Sequence, residues 1–570
     1  MTPEERAKIV SNDYADFIID WNSSQSILDQ FPNVTIQIMN QRFAIGYAPA
    51  SQLNNQTVSR YGYSILPAVF ALMSRRSLEA SGVVRLRNVP TLNLRGQGVL
   101  VGVIDTGIDY TNPVFIREDG TTKIISLWDQ NIESADQFPV DAEYGTVYNA
   151  EQINEALGSE NPLEVVPSTD EIGHGTMIAG IAVGSENMAN NFSGVVPDAD
   201  LVVVKLKQAK QNLKNFYVIP SDVPCYQEND IMWASQYLIS VARQLGRPIS
   251  ICIGLGGTMG AHDGFGALSA MISVGGDFSG VVVSIAAGNE GSARGHYYAA
   301  IDPAIGYNTV ELNVGANEPG FTMELWGSSP NTYSIDILSP SGEYIPRIGE
   351  SIRLSREISF IFENTIININ YEMVESSTGD ELILLKFRNP SEGTWRFQVY
   401  GRGDLQGSFH IWLPPANFIS PDTYFLQSNP YTTITSPGNS LVPITTTAYN
   451  PETDTLYQQA SRGYSRINTI KPELAAPGVN ITAPNLQHGF SNFSGTGAAT
   501  AHMTGITAML LEWGVVRRNY PGLDTVEAKK FLIRGARRNE ILQYPNRDWG
   551  YGIVDIYNTF NLLRSDTRRP

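Results

Sequence analysis

Short stretches of this chain bring together residue types that handle protons and developing negative charge. Asp105 ends the apolar run VLVGVI within VIDTGID, where a strand would deliver its carboxylate to the carboxyl edge of a sheet. His174 lies in EIGHGTMIAG between Gly173 and Gly175, which allow close backbone approach ahead of an apolar helix. Asn289 falls just beyond VVVSIAAG, so its amide can point at an oxyanion from a rigid strand end. Leu255, Gly256 and Gly257 can offer a bare backbone edge to an extended peptide. NFSGTGAATAHMTGITAMLLEW sets Gly495 to Gly497 at the start of a helix with Ala499, Met503, Ile506, Leu510 and Trp513 as its buried stripe. Singly, each has an ordinary reading: a capping aspartate, a structural histidine, an Asn-Glu-Gly turn, a strand exit. Their value lies in combination.

The surrounding pattern supplies the elements that must position them. Apolar runs at 99–104, 201–206, 249–257 and 281–289 alternate with helical patterns at 231–245 and 267–274, as in a parallel α/β sheet covered on both faces. Residues 1–85 read as a leading α+β unit, with helices expected around 16–28 and 64–74 and an extended segment at 34–38. From 303 to 441 the texture changes to short alternating strands and turns, an all-β sandwich inserted into the α/β domain, with 418–441 as its exit linker. Its near-alternating aromatics Trp395, Phe397, Tyr400 and Trp412 suit a sandwich core better than a carbohydrate- or protein-binding patch. The α/β texture returns at 442–570, so the scaffold is split into 86–302 and 442–570.

Composition removes other classes. The 570 residues carry 39 basic and 57 acidic side chains, a net charge of -18, which argues against generic nucleic-acid binding. With 42 % hydrophobic residues the chain is neither disordered nor fibrous. Two cysteines, Cys225 and Cys252, provide no disulfide framework, and Cys252 sits inside an expected core strand. The start reads as neither a signal peptide nor a membrane span, so the expectation is a protein cytoplasmic at synthesis. No acidic loop is specific enough to name calcium ligands, and no cofactor is expected.

VIDTGID, HGTMIAG, LGG, AAGN and SGTGAATAHMTG, in this order, resemble the signature of the subtilisin-like serine proteases. The resemblance implies a parallel sheet flanked by helices, a cleft-occupying N-terminal prodomain and peptide hydrolysis by an Asp-His-Ser triad. By motif position the aspartate is Asp105, the histidine His174 and the oxyanion-hole asparagine Asn289, with Leu255, Gly256 and Gly257 on the substrate edge. The nucleophile position is Gly497, which has no hydroxyl to attack a carbonyl. Ser491, Ser494 and Thr496 are nearby in sequence, but in a tight turn a one-residue shift redirects the side chain. Gly254 stands where serine is common.

Together with IDTGIDYTNPVF, GAHDG and a jelly-roll-like insertion, the pattern is similar to the Csp proteins of clostridial spores. Some of those are proteases that process a cortex-lytic hydrolase precursor, and others are pseudoproteases in germinant signalling. The resemblance therefore implies a regulatory pseudoprotease, spore-associated, with other germination proteins as partners and its own prodomain in the cleft. An active endopeptidase whose serine 497 has been replaced by glycine is the alternative.

Overall fold

A nine-stranded mixed sheet forms the centre of the computed structural model, which describes residues 1–570 apart from 33, 73–79, 350 and 567–570. Across it run Thr455–Leu456, Ile444–Asn450, Val281–Ala286, Ile249–Ile253, Leu100–Asp105, Asp200–Lys205, Ile124–Asp129 and Thr146–Asn149, with Leu474–Pro477 also paired to Ile444–Asn450. The inner pairings are parallel, and antiparallel strands close both edges. Period-two alternation sorts its side chains. Val101 and Val103 join the cluster containing the helices His174–Val183 and Thr496–Leu511, while Leu100 and Ile104 join that of Glu228–Leu245 and Ala267–Gly276. Burial on both faces explains why these strands read as unbroken apolar runs. From Leu100–Asp105 the chain fills one side of the sheet, returning to Asp200–Lys205 beside it, before it crosses to Ile249–Ile253 on the other, so Asp105 lies where the strand order reverses.

The helix Thr496–Leu511 is more enclosed than a one-sided stripe implies. All sixteen of its residues are buried, whereas Trp513, beyond its end, is partly exposed. Small side chains at Ala498, Ala499, Ala501 and Gly505 let it run through the middle of the scaffold; a Cβ on Gly505 would lie 2.3 Å from Val195 Cβ.

Two helices expected in the leading segment are replaced by strands. Tyr14–Asp20 pairs along its whole length with Phe43–Pro49, which also pairs with Thr35–Ile38; the helical part of 16–28 is confined to Gln25–Leu28. The reason is burial on both faces. Ile18 and Tyr47 meet Met232 and Trp233, and Phe17 and Ile19 lie on the other side with Tyr217, Trp326 and Trp412, so no amphipathic period marks the strand. Within 64–74, Val69–Leu72 is a strand held between Tyr226–Gln227 and Leu255–Gly256, and residues 73 and 74 lie outside the described residues.

The β region is built from two antiparallel sheets of six and five strands enclosing a shared core that includes Phe321, Met323, Leu325, Ile335, Ile337, Trp395 and Phe397. The six-stranded sheet already contains His296–Ala300, ahead of residue 303. Gly320–Gly327 is buried throughout, because Met323 and Leu325 face the sandwich while Trp326 faces the leading segment. Of the four aromatics expected in that core, Trp395 and Phe397 lie in it; Trp412 is buried instead on the outer side, in the cluster shared with Trp326 and the leading segment, and Tyr400 is half-buried outside the core cluster. The stretch 418–441 is no loose linker: Ile434, Thr435, Asn439 and Ser440 are buried and Ser436 bridges to Gly257.

Candidate active site

Asp105 is the last residue of its strand and is fully buried. His174 opens its helix, and its Nδ1–H donates to Asp105 Oδ1 at 2.7 Å. Two glycines make that approach possible. Gly173 takes a left-handed φ of +84° at the helix cap, and a Cβ on Gly175 would lie 2.1 Å from the Gly107 carbonyl oxygen. Asp170, which the sequence reading did not single out, locks the junction. Its Oδ1 accepts from Thr106 Oγ1 at 2.7 Å and Gly173 N at 2.8 Å, and its Oδ2 from Thr176 N at 2.9 Å and Thr176 Oγ1 at 2.7 Å. An acidic residue just ahead of a glycine-flanked helix start was the available signal. Thr106 Oγ1 in turn accepts from Gly175 N at 2.9 Å, and Phe493 sets its ring edgewise to His174 at 5.5 Å between centroids.

A second cluster forms around Asn289. Its Oδ1 accepts from both N and Oγ1 of Thr496, each at 3.1 Å, while Thr496 Oγ1 accepts from Gly288 N at 3.1 Å. This fastening uses the amide oxygen and not the Nδ2 donors. Gly497 follows Thr496 as the second residue of the buried helix. Thr496, one of the alternative hydroxyls, is thus occupied in holding Asn289, and Ser494 Oγ accepts from Asn480 N at 3.0 Å. Cys252 is buried in the sheet, where burial pushes its thiol up to about 12; both cysteines are free. Next to Asn289, burial raises the Glu290 carboxyl to about 7, with the Ala416 amide donating to it at 3.1 Å.

The LGG edge is divided. Leu255 and Gly256 pair antiparallel with Leu72 and Ala71, and Gly257 exchanges backbone hydrogen bonds with Ser436 at 2.9 and 2.8 Å. Among the described residues no group of three or more His, Cys, Asp or Glu side chains is arranged to hold a metal ion, and no helix is long and apolar enough to cross a membrane.

Comparison with known proteins meets this geometry. Residues 96–313 and 419–552, more than half of the chain, match the model of the subtilase family, Peptidase S8, and the unmatched interval between them falls within the β region. The structure of the Clostridium perfringens CspB protease superposes with a TM-score of 0.75 at 30 % identity, covering 86 % of this chain and 97 % of that one. Pyrolysin of Pyrococcus furiosus is 31 % identical over 113 residues, which span 19 % of this chain but only 8 % of pyrolysin. With the match lying on both sides of the β region and taking in Asp105, His174 and Asn289, the chain belongs to the subtilase family.

Proposed function

We propose that this chain is a subtilase-fold pseudoprotease that regulates or signals through protein partners, in bacterial spore germination. The observation that carries the reading is Gly497: a hydrogen is all that glycine offers where the resemblance puts the nucleophile, while Asp105 and His174 are hydrogen-bonded to each other and Asn289 is fastened to Thr496. Covalent acyl transfer through residue 497 is chemically closed. A site lacking one triad member retains roughly 10³–10⁴-fold catalysis over water, against losses of about 10⁶ from the intact machinery. The germination role rests on the resemblance to the Csp group, supported by the 30 % identity to a CspB protease.

The leading segment is, in this reading, a retained prodomain. Its strand Val69–Leu72 lies along Leu255–Gly256, where a substrate strand would add. Buried polar contacts anchor it: Asp16 pairs with Lys210 and accepts from Gln227 and Asn229, and the Ala68 amide donates to Glu228 at 3.1 Å. Tyr63 reaches the β region, where its hydroxyl donates to Glu324 and its amide to Glu372. The β region between the two scaffold halves is read as the jelly-roll-like insertion. Without a serine to cut the chain, residues 1–85 stay attached.

Hydrolysis of a peptide substrate and the intact mass test this together, on the chain as it is and on Gly497→Ser. The expected result is no turnover and full mass for the unchanged chain. Turnover abolished by His174→Ala, or a mass lacking the leading segment with outside proteases excluded, overturns the reading. The unbroken Asp105–His174 bond favours a recoverable site, so leader cleavage by Gly497→Ser is expected.

A further inference from the structure

The Asp105 carboxylate is held from one side only. Its Oδ1 receives His174 at 2.7 Å and the Thr106 amide at 2.8 Å, whereas the buried Oδ2 has no hydrogen-bond partner among the described residues. A buried carboxylate oxygen without a donor costs free energy, because the water it gave up is not replaced. Facing it is Gly254, between the strands Ile249–Ile253 and Leu255–Gly256. A Cβ built on Gly254 lies 3.3 Å from Asp105 Oδ2, 3.5 Å from His174 Cε1 and 3.7 Å from Ile178 Cδ1. The backbone there is outside the left-handed region, so it accepts a side chain without conformational strain. A hydroxyl on that carbon would come within hydrogen-bond reach of Oδ2, and the carbon itself would pack against Cε1 of the imidazole.

We propose that Gly254 is a second deletion from the site, separate from Gly497: position 254 is a positioning residue for the Asp105–His174 pair, and a hydroxyl there would fasten Asp105 Oδ2. The proposal rests on reading the site as a serine-peptidase centre without its serine. A carboxylate fixed through one oxygen can pivot about that oxygen, which loosens the geometry of the bond it accepts from the imidazole. Proton transfer tolerates little misplacement, so a serine restored at 497 alone would meet a base whose carboxylate partner is held through one oxygen.

Melting temperatures of Gly254→Ser and Gly254→Ala, each with Asp105 intact and with Asp105→Ala, isolate the contact. Serine is expected to melt about 1 °C or more above alanine when Asp105 is present, and the gap is expected to close in Asp105→Ala. Equal melting of the two variants, or a gap that survives loss of Asp105, overturns the proposal. In a Gly497→Ser background, Gly254→Ser is expected to cleave its leader after refolding, in a first-order step, about tenfold faster than Gly254→Ala. Equal rates in the two overturn the positioning role, since alanine adds the packing without the hydroxyl. If no Gly497→Ser chain cleaves at all, the serine-peptidase reading of the site fails, and the melting cycle alone decides whether position 254 addresses Asp105.

Discussion

The two ends of the site are held by different means. At the Asp105–His174 end Asp105, Thr106, Asp170, Gly173, Gly175 and Thr176 form a hydrogen-bonded seam between a strand end and a helix start, with only Asp105 Oδ2 outside it. At the nucleophile end Gly497 contributes a place in a helix, fastened through its neighbour Thr496 to Asn289. Folding therefore needs the first set of side chains whether or not a proton is ever transferred. Position 497 has no side chain whose hydrogen bonds folding could need. An intact Asp-His pair in a subtilase scaffold is weak testimony for turnover, and the side chain at 497 is strong testimony.

If the seam is structural, its most connected member should be the costliest to remove. Asp170→Ala strands four donors in a buried junction and is expected to lower unfolding free energy by about 3–5 kcal/mol. Calorimetry of the purified variant measures it. A loss below about 1 kcal/mol would break the contrast between the two ends.

The next effect sits beside the oxyanion position and depends on pH. Burial holds the Glu290 carboxyl at about 7, above the 4.5 of an exposed glutamate. A raised carboxyl pKa in the folded state means stability that is fully present below pH 4.5 and declines as pH rises to about 7, because the unfolded chain ionises first. The decline should amount to on the order of 3 kcal/mol. Glu290→Gln should remove that slope, so melting curves from pH 4 to 8 should converge at the acid end and separate at the alkaline end, with the variant the more stable. Parallel curves would show that Glu290 is solvated. The histidines stacked at the junction of β region and scaffold act in the opposite sense: burial lowers His262 to about 4 and His296 to about 3, so their contribution is lost as pH falls below 6.5.

The same contrast explains what the sequence made legible. Strands such as Leu100–Asp105 announce themselves because burial on both faces leaves an uninterrupted apolar run, and the motifs locate Asp105, His174, Asn289 and position 497. Tyr14–Asp20 and Val69–Leu72 were hidden because their conformation is set by partners, in the second case at Tyr226–Gln227 and Leu255–Gly256, far along the chain. Long-range contacts also concealed the parts that tune the site. Thr106 meets Asp170 across 64 residues, Thr496 meets Asn289 across 207, and the opposition of Gly254 to Asp105 Oδ2 exists only in three dimensions.

The smallest expected effect is the most discriminating. Gly497→Ala adds a methyl group in the first turn of a helix, where alanine is favoured over glycine by roughly 0.5–1 kcal/mol in a helix interior and by less near its start. Melting should therefore change little, by less than about 1 kcal/mol, and should not fall. Gly497→Ser should match it in stability, since the hydroxyl can be satisfied locally at a helix start. The two variants would then be alike in folding and unlike in chemistry, for only the second carries an atom that can attack a carbonyl. A large destabilisation by both would mean that the helix start has closed around glycine, and that the nucleophile end is as tightly specified by packing as the Asp105–His174 end.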